Sequence, residues 1–95
     1  MGPMIEIRKT LDFEFWYSSL SERVQIQIAA RLERIQNTGH FGSVKNIGGK
    51  LCELRWKNGW RIYFCRQAKD TIVLLIGGNK HGQEKDIKKA RFLLG

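Results

Sequence analysis

The spacing of hydrophobic residues predicts a long amphipathic helix in the N-terminal half of the chain. Val24, Ile28, Leu32 and Ile35 recur at intervals of three or four positions, which places them on one face of a helix. Gly39 follows this run, and a glycine in the left-handed conformation commonly ends a helix. We therefore expect a helix that buries this apolar stripe and ends at Gly39.

Two shorter elements are predicted ahead of this helix. Residues Met4 to Arg8 alternate between apolar and polar side chains, which indicates a short strand. Thr10 can cap a first helix, whose apolar face would consist of Phe13, Trp16, Tyr17 and Leu20. Ser19 followed by Glu22 has the spacing of a capping box, which predicts the start of the second helix.

The C-terminal half predicts three successive strands and a last helix, which follow a glycine-rich stretch at residues 39–50. The strands are expected at Leu51 to Trp56, Trp60 to Arg66 and Asp70 to Ile76, and the helix at Gln83 to Leu94. The third strand is nearly all apolar, which is typical of a central strand covered on both faces. The last helix would pack inward through Ile87, Ala90 and Leu94.

The linker Lys57-Asn58-Gly59 predicts a hairpin between the first two of these strands. A two-residue turn would pair Trp56 with Arg61 and mix apolar and charged side chains on each face. A three-residue loop with Gly59 in a bulge keeps the faces separate, and its pairs are Trp56 with Trp60, Leu54 with Ile62 and Arg55 with Arg61. We favour the second register, because a slip of one residue would send a whole apolar set to the wrong face.

The favoured register places the two cysteines on opposite faces of the hairpin. A disulfide between Cys52 and Cys65 is then excluded, and both thiols are expected to be reduced packing groups, as in a cytoplasmic protein. The spacing of the two cysteines matches no zinc or redox motif. No metal ion or cofactor is expected.

These elements predict one α+β domain over residues 1–95, in the order strand, two helices, three antiparallel strands and helix. The two N-terminal helices would cover one face of a small, mostly antiparallel sheet, the face that carries Trp60, Ile62 and Phe64. The opposite face would display Arg55, Arg61 and Tyr63, flanked by loops that hold Lys45, Lys50 and Lys80. We expect this face to be a shallow, basic concavity lined by aromatic rings.

The distribution of charge indicates what such a face would bind. The formal net charge is +8, and residues 39–95 carry all of it, because residues 1–38 hold five basic and five acidic side chains. Basic side chains beside aromatic strand residues suit a polyanion, and RNA is the best candidate. The longest apolar run is too short to span a bilayer, and the start of the chain lacks a secretion signal. The cytoplasm is the expected compartment, and residues 1–3 are interpreted as a cloning remnant or a disordered start.

A series of short motifs extends over nearly the whole chain. In order, they are Gly42-Ser-Val-Lys-Asn-Ile-Gly-Gly, Glu53-Leu-Arg-Trp, Gly59-Trp-Arg-Ile-Tyr-Phe, Leu74-Leu-Ile-Gly-Gly-Asn-Lys and Gln83-Glu-Lys-Asp-Ile-Lys-Lys-Ala. The series resembles the phage-related, HigB-like addiction-module killer proteins of the RelE/ParE toxin superfamily. This resemblance implies a RelE-like fold and the toxin of a type II toxin–antitoxin system.

The resemblance also implies partners and an activity. A cognate antitoxin, a helix-turn-helix protein like HigA, would hold the toxin inactive and would make any contact with operator DNA. RelE-like and HigB-like members cleave mRNA in the ribosomal A site, so the ribosome and mRNA are the expected targets, and no membrane is involved. The expected activity is that of a metal-independent mRNA interferase, an endoribonuclease that inhibits translation.

The chemistry of such cleavage indicates which residues would catalyse it. The RNA 2′-hydroxyl attacks the adjacent phosphorus, and negative charge grows on the phosphoryl oxygens, so a fixed cation is the largest expected aid. Arg61 is the first candidate, because a guanidinium on a rigid strand can bind a phosphate with two hydrogen bonds. Arg61 also matches the arginine in the Gly-x-Arg-x-Tyr strand of the resembled family. Lys80 is the second candidate, and His81 could act as general acid or base, although the resembled family has a small polar residue there.

Six further residues are candidates for RNA binding: Lys45, Lys50, Arg55, Tyr63, Gln83 and Asp86. The basic residues would contact phosphates, and Tyr63 would stack on a base. Gln83 and Asp86 match the family's Gln-x-x-Asp, and Asp86 is expected to orient Lys80 or Arg61. For each residue the alternative is structural, as a solvated charge on the sheet, a packing group or a brace for the last helix.

Two other functions stay open on the same fold. ParE-type relatives inhibit DNA gyrase by binding it without catalysis, and a plain RNA-binding module would hold RNA without cleaving it. The set Arg61, Tyr63 and Lys80 favours the ribonuclease, because a gyrase inhibitor has no need of phosphate-binding groups.

Overall fold

The computed structural model describes residues 4–95, so the interpretation of residues 1–3 lies outside the described part of the chain. The elements in chain order are β1 (Glu6–Lys9), α1 (Leu11–Ser18), α2 (Glu22–Thr38), β2 (Val44–Gly48), β3 (Leu51–Arg55), β4 (Trp60–Ala68), β5 (Thr71–Asn79), a 3₁₀ turn (Lys80–Gly82) and α3 (Gln83–Leu94). The predicted α+β class is confirmed. None of the helices in residues 4–95 has both the length and the apolar character needed to cross a bilayer.

The five strands form one sheet in the order β1-β5-β4-β3-β2. β1 runs parallel to β5, and the other neighbours are antiparallel. β2 was not predicted, because it lies in the stretch that the glycines indicated to be a loop. Its residues Val44 to Asn46 are exposed, so no hydrophobic alternation marks it. Backbone pairing with β3 forms this edge strand, and Gly48 and Gly49 supply positive φ angles of 123° and 58° where the chain turns back.

The caps of the two N-terminal helices are only partly as predicted. Thr10 caps α1 by accepting a hydrogen bond of 2.9 Å from the Phe13 amide, as predicted. The capping box is wrong, because Ser21 caps α2 and Ser19 ends α1. The Ser19 hydroxyl donates to the Trp16 carbonyl at 2.6 Å, which satisfies one of the free carbonyls of the last turn.

The hairpin between β3 and β4 has the predicted register. Leu54 lies opposite Ile62, and Arg55 lies opposite Arg61. The three-residue loop closes through the Trp56 amide, which donates to the Trp60 carbonyl at 2.9 Å, and Gly59 has a φ of 105°. Both cysteines are free thiols that lie on opposite faces of the sheet, as predicted.

Two apolar layers cover the two faces of the sheet. α1 and α2 pack on one face, where the stripe Ile28, Leu32 and Ile35 meets Ile62, Phe64 and Leu74. The close approach of α1 requires Gly77, because a Cβ there would lie 2.2 Å from the Trp16 ring. α3 packs on the other face, where Ala90 and Ile87 meet Leu51, Tyr63, Cys65 and Leu75.

Candidate functional site

The sheet face that was predicted to be an open basic concavity is covered by α3. Tyr63 has no exposed surface, and Arg61 is 8% exposed. The cover forms because Ile87 and Ala90 of α3 find their apolar partners on this face. The prediction of an open face is therefore wrong, and the Tyr63 ring lies beneath a helix in this structure rather than in reach of a base.

A buried glutamate that the sequence analysis did not select lies at the centre of the site. Glu53 has no exposed surface, and its carboxylate contacts groups from three elements. Arg55 Nε lies 3.3 Å from Oε1, Arg61 Nε lies 3.7 Å from Oε2, and Gln83 Nε2 donates to Oε2 at 2.6 Å. The sequence held one signal for it, since Glu53 shares a strand face with Arg55 in the Glu-Leu-Arg motif.

The hairpin holds the Arg61 guanidinium in place. Its Nη1 donates to the carbonyls of Trp56 and Trp60, at 3.2 Å in both cases. The Glu53 carboxylate balances the charge of Arg61. Arg55, which lies opposite Arg61 on the neighbouring strand, is half-buried. The result is a cation with a fixed orientation, which a phosphate ligand would not have to reorganise.

Three buried polar atoms of this cluster make no hydrogen bond within residues 4–95: Glu53 Oε1, Arg61 Nε and the Tyr63 hydroxyl. Burial raises the pKa of Tyr63 far above its usual value, and the nearby Glu53 charge raises it further. The Tyr63 hydroxyl therefore keeps its proton at neutral pH and is a donor. Buried polar groups without hydrogen bonds are costly, and Glu53 Oε1 and Arg61 Nε keep only their ion-pair contacts of 3.3 and 3.7 Å with Arg55 and Glu53.

Lys80 lies at the same end of the sheet as Arg61. The Lys80 amide donates to the Gly59 carbonyl at 2.8 Å, which ties the 3₁₀ turn to the hairpin loop. The alkyl chain of Lys80 passes over Gly59, where a Cβ would lie 3.4 Å from Lys80 Cδ. The side chain of Lys80 is exposed. The structure thus brings Arg55, Arg61 and Lys80 to one hairpin.

Lys45 is close to this group, whereas Lys50 is not. Lys45 is exposed on β2 and is the backbone partner of Glu53. Lys50 lies in the turn before β3, near Cys65, and five residues of extended chain separate it from Arg55 by about 16 Å. His81 is exposed and lines a separate shallow groove of about 450 Å³ with Gly82, Glu84, Lys85 and Lys88. Residues 4–95 contain no group of three or more His, Cys, Asp or Glu placed to hold a metal ion.

Asp86 does not make the contact that was expected of it. It forms no ion pair within the described residues, and the carboxylate that contacts Arg61 is that of Glu53. Asp86 lies against Gly78 instead, where a Cβ would lie 1.9 Å from its Oδ2. Burial raises the pKa of Asp86 above its ordinary value of 3.8, and the nearby Lys85 opposes this shift.

The raised pKa of Asp86 predicts a pH-dependent cost to stability. The native state binds this proton more tightly than the unfolded chain, so the stabilisation is complete below the unfolded pKa and is lost as the pH rises through the folded pKa. Asp86→Asn is therefore expected to raise the free energy of unfolding at pH 7 relative to the parent chain. Urea denaturation between pH 3 and pH 7 measures the difference, which should shrink toward zero near pH 3.

A matched control is Glu84→Gln, an exposed carboxylate in the same first turn of α3. This variant measures how much a negative charge at the start of α3 contributes to stability when the carboxylate is exposed to solvent. A gain from Asp86→Asn that persists unchanged at pH 3 would refute the titration of Asp86 as the cause.

The strand order, with α1 and α2 on one face and α3 on the other, defines a RelE-like domain. A double mutant of the Escherichia coli RelE toxin in its free state superposes with a TM-score of 0.72 at 12% sequence identity, covering 93% of this chain and 96% of that one. The RelBE toxin–antitoxin complex of Mycobacterium tuberculosis gives 0.67 at 12% identity, covering 80% and 98%. At these identities the likeness establishes the fold.

Sequence comparison establishes the family. The family model described as phage derived protein Gp49-like (DUF891) matches residues 15–93, and the chain belongs to this family. A protein of Haemophilus influenzae with the name "uncharacterized protein" is 40% identical over 92 residues, which span 94% of this chain and 92% of that protein. The predicted membership of the phage-related, HigB-like killer proteins is confirmed.

Proposed function

We propose that this protein is the toxin of a type II toxin–antitoxin system and that it cleaves mRNA on the ribosome. The observation that carries the proposal is the Arg61 guanidinium, held by two carbonyls and a buried carboxylate at the hairpin end where Lys80 and Arg55 also lie. Three cations at one end of a rigid sheet suit a phosphodiester. The RelE-like fold and the Gp49-like family support the same assignment.

In the proposed reaction the RNA supplies its own nucleophile. The 2′-hydroxyl attacks the adjacent phosphorus, the bond to the 5′-oxygen breaks, and a 2′,3′-cyclic phosphate remains on one fragment. Arg61 and Lys80 stabilise the charge that grows on the phosphoryl oxygens. His81 follows Lys80 directly and is exposed, which makes it the candidate for moving the proton.

Two other candidates hold the RNA on either side of this centre. Arg55 and Lys45 border the cluster and contact flanking phosphates in the proposed complex. In this proposal the chain alone positions an RNA strand poorly. The ribosome would supply the missing orientation, which is worth many orders of magnitude in rate when two reactants must be aligned.

The proposed partner is a cognate antitoxin. Structural neighbours of this chain include RelB–RelE complexes from Escherichia coli and Methanococcus jannaschii, in which the toxin is bound by its antitoxin. We propose that a helix-turn-helix antitoxin forms a corresponding complex with this chain, and that this antitoxin makes the contact with operator DNA.

Primer extension on a reporter mRNA in a reconstituted translation system tests the ribonuclease. New 5′ ends are expected only when ribosomes are present, and they should cluster at codons in the A site. Efficient cleavage of naked mRNA would contradict the dependence on the ribosome. Absence of cleavage together with growth arrest in cells would contradict the ribonuclease, and a gyrase supercoiling assay would then be the next measurement.

A further inference from the structure

Three large apolar side chains are almost fully exposed on the outer surfaces of α1 and α3. Leu11 and Phe15 lie one turn apart on α1 and are 82% and 81% exposed, and Phe92 on α3 is 79% exposed. None of the three supports the core, and none belongs to the candidate site. Exposed apolar side chains that cluster on a soluble surface usually mark a binding surface.

An ion pair shows that α1 and α3, which pack on opposite faces of the sheet, approach one another at one place. Asp12 of α1 and Lys89 of α3 approach to 3.4 Å. Leu11 and Phe15 flank Asp12 at positions within one turn of helix, and Phe92 follows Lys89 by one turn. We name these three residues the α1/α3 patch. The patch spans two elements that are connected through an ion pair rather than through the core.

Positive charge borders the patch. α3 carries four exposed basic residues, Lys85, Lys88, Lys89 and Arg91. We propose that the α1/α3 patch binds an acidic amphipathic helix of the antitoxin, with aliphatic side chains on the patch and carboxylates beside the lysines. The spacing of Leu11 and Phe15 matches the ridges that one helix offers to another. This inference rests on the proposed function for the identity of the partner.

The charge of the chain argues against a second copy as the occupant. Each chain carries a formal net charge of +8, so two copies repel one another, whereas an acidic segment is attracted. RNA would also be attracted to the lysines of α3. The aliphatic side chain of Leu11, which is 82% exposed and has no polar atom, favours a protein partner over a polyphosphate.

Isothermal titration calorimetry tests the inference, with the purified product of the gene that adjoins this one as the probe. Phe15→Asp and Phe92→Asp are each expected to weaken binding by about tenfold or more, because both place a carboxylate in an apolar contact that faces acidic groups. Ile26→Asp is the matched control, since Ile26 on α2 is 63% exposed and lies outside the patch. It should leave the affinity within about twofold of the parent value.

A charge reversal at Lys88, written Lys88→Glu, should weaken binding at low salt and lose most of its effect near 1 M salt. Cleavage of mRNA by the unbound Phe15→Asp and Phe92→Asp variants should equal that of the parent chain. Unchanged affinity in both patch variants would overturn the inference while leaving the proposed function intact. So would loss of cleavage with full affinity, which would assign the patch to the ribosome.

Sedimentation equilibrium provides a third check. A dimer of the parent chain that dissociates in Phe15→Asp would assign the patch to a second copy and would overturn the inference. If the parent chain binds the probe through the patch but cleaves no mRNA, the ribonuclease proposal fails and the docking inference stands. If the parent chain does not bind the probe, the antitoxin assignment and the docking inference fail together.

Discussion

Arg61→Ala is expected to lower ribosome-dependent mRNA cleavage by about 100-fold or more. Removing one preorganised group that stabilises developing charge costs roughly two to three orders of magnitude in other enzymes. Arg61 is fixed by the Trp56 and Trp60 carbonyls, so its orientation does not depend on the substrate. Single-turnover cleavage on programmed ribosomes, followed by primer extension, measures the effect.

Two companion variants separate chemistry from folding. Arg61 is buried, and its removal leaves the Glu53 carboxylate with one cation fewer. The free energy of unfolding of Arg61→Ala therefore has to be measured, so that a loss of activity is not mistaken for a loss of folding. Arg61→Lys keeps the positive charge but loses the planar fork, and about tenfold lower activity is expected with the fold retained. Arg66→Ala is the matched control on the same strand, because Arg66 is exposed and distant from the cluster. Full activity in folded Arg61→Ala would refute the proposed role.

Glu53→Ala is expected to lower the free energy of unfolding by about 3 kcal/mol. Truncating one partner of a buried ion pair leaves the other charge without compensation, which typically costs roughly 3–5 kcal/mol. The lower end applies because Arg55 keeps 39% of its side chain exposed and can be hydrated. The hydrogen bond from Gln83 is lost as well, which loosens the start of α3. Urea denaturation followed by circular dichroism at pH 7 measures the change.

Glu53→Gln is the informative intermediate. It retains the size and one oxygen of the side chain but removes the charge that Arg61 and Arg55 require, so a loss smaller than that of Glu53→Ala is expected. Glu33→Ala, at an exposed glutamate of α2, should change stability by no more than about 0.5 kcal/mol. A Glu53→Ala chain as stable as the Glu33→Ala control would show that the buried carboxylate contributes nothing.

Local patterns were sufficient to predict most of the elements. The stripe of α2 and the inner face of α3 repeat with the helical period, and both pack against the sheet as expected. The register of the hairpin followed from the need to keep Leu54 and Ile62 on one face. β2 was not predicted, because it is formed by backbone pairing, and such pairing leaves no mark in an exposed and glycine-rich sequence.

The candidate site could be predicted only in part, because its geometry depends on α3. Sequence and resemblance selected Arg61, Lys80 and Gln83, and the structure places them at one end of the sheet. The burial of Tyr63 and Glu53 is a tertiary effect of α3, which begins at Gln83, far along the chain from both residues. A strand pattern identifies which face a side chain occupies, but it does not identify what packs against that face.

The parallel pairing of β1 with β5 means that the sheet can be completed only late in the synthesis of the chain. Glu6–Lys9 finds its partner only after Thr71–Asn79 has been synthesised, and Glu53 gains its hydrogen bond only once Gln83 has emerged. Contacts of such long sequence separation form late in folding. The ribosome therefore synthesises nearly the whole chain before the candidate site is assembled, and the proposed antitoxin would meet a complete site only after α3 has been made.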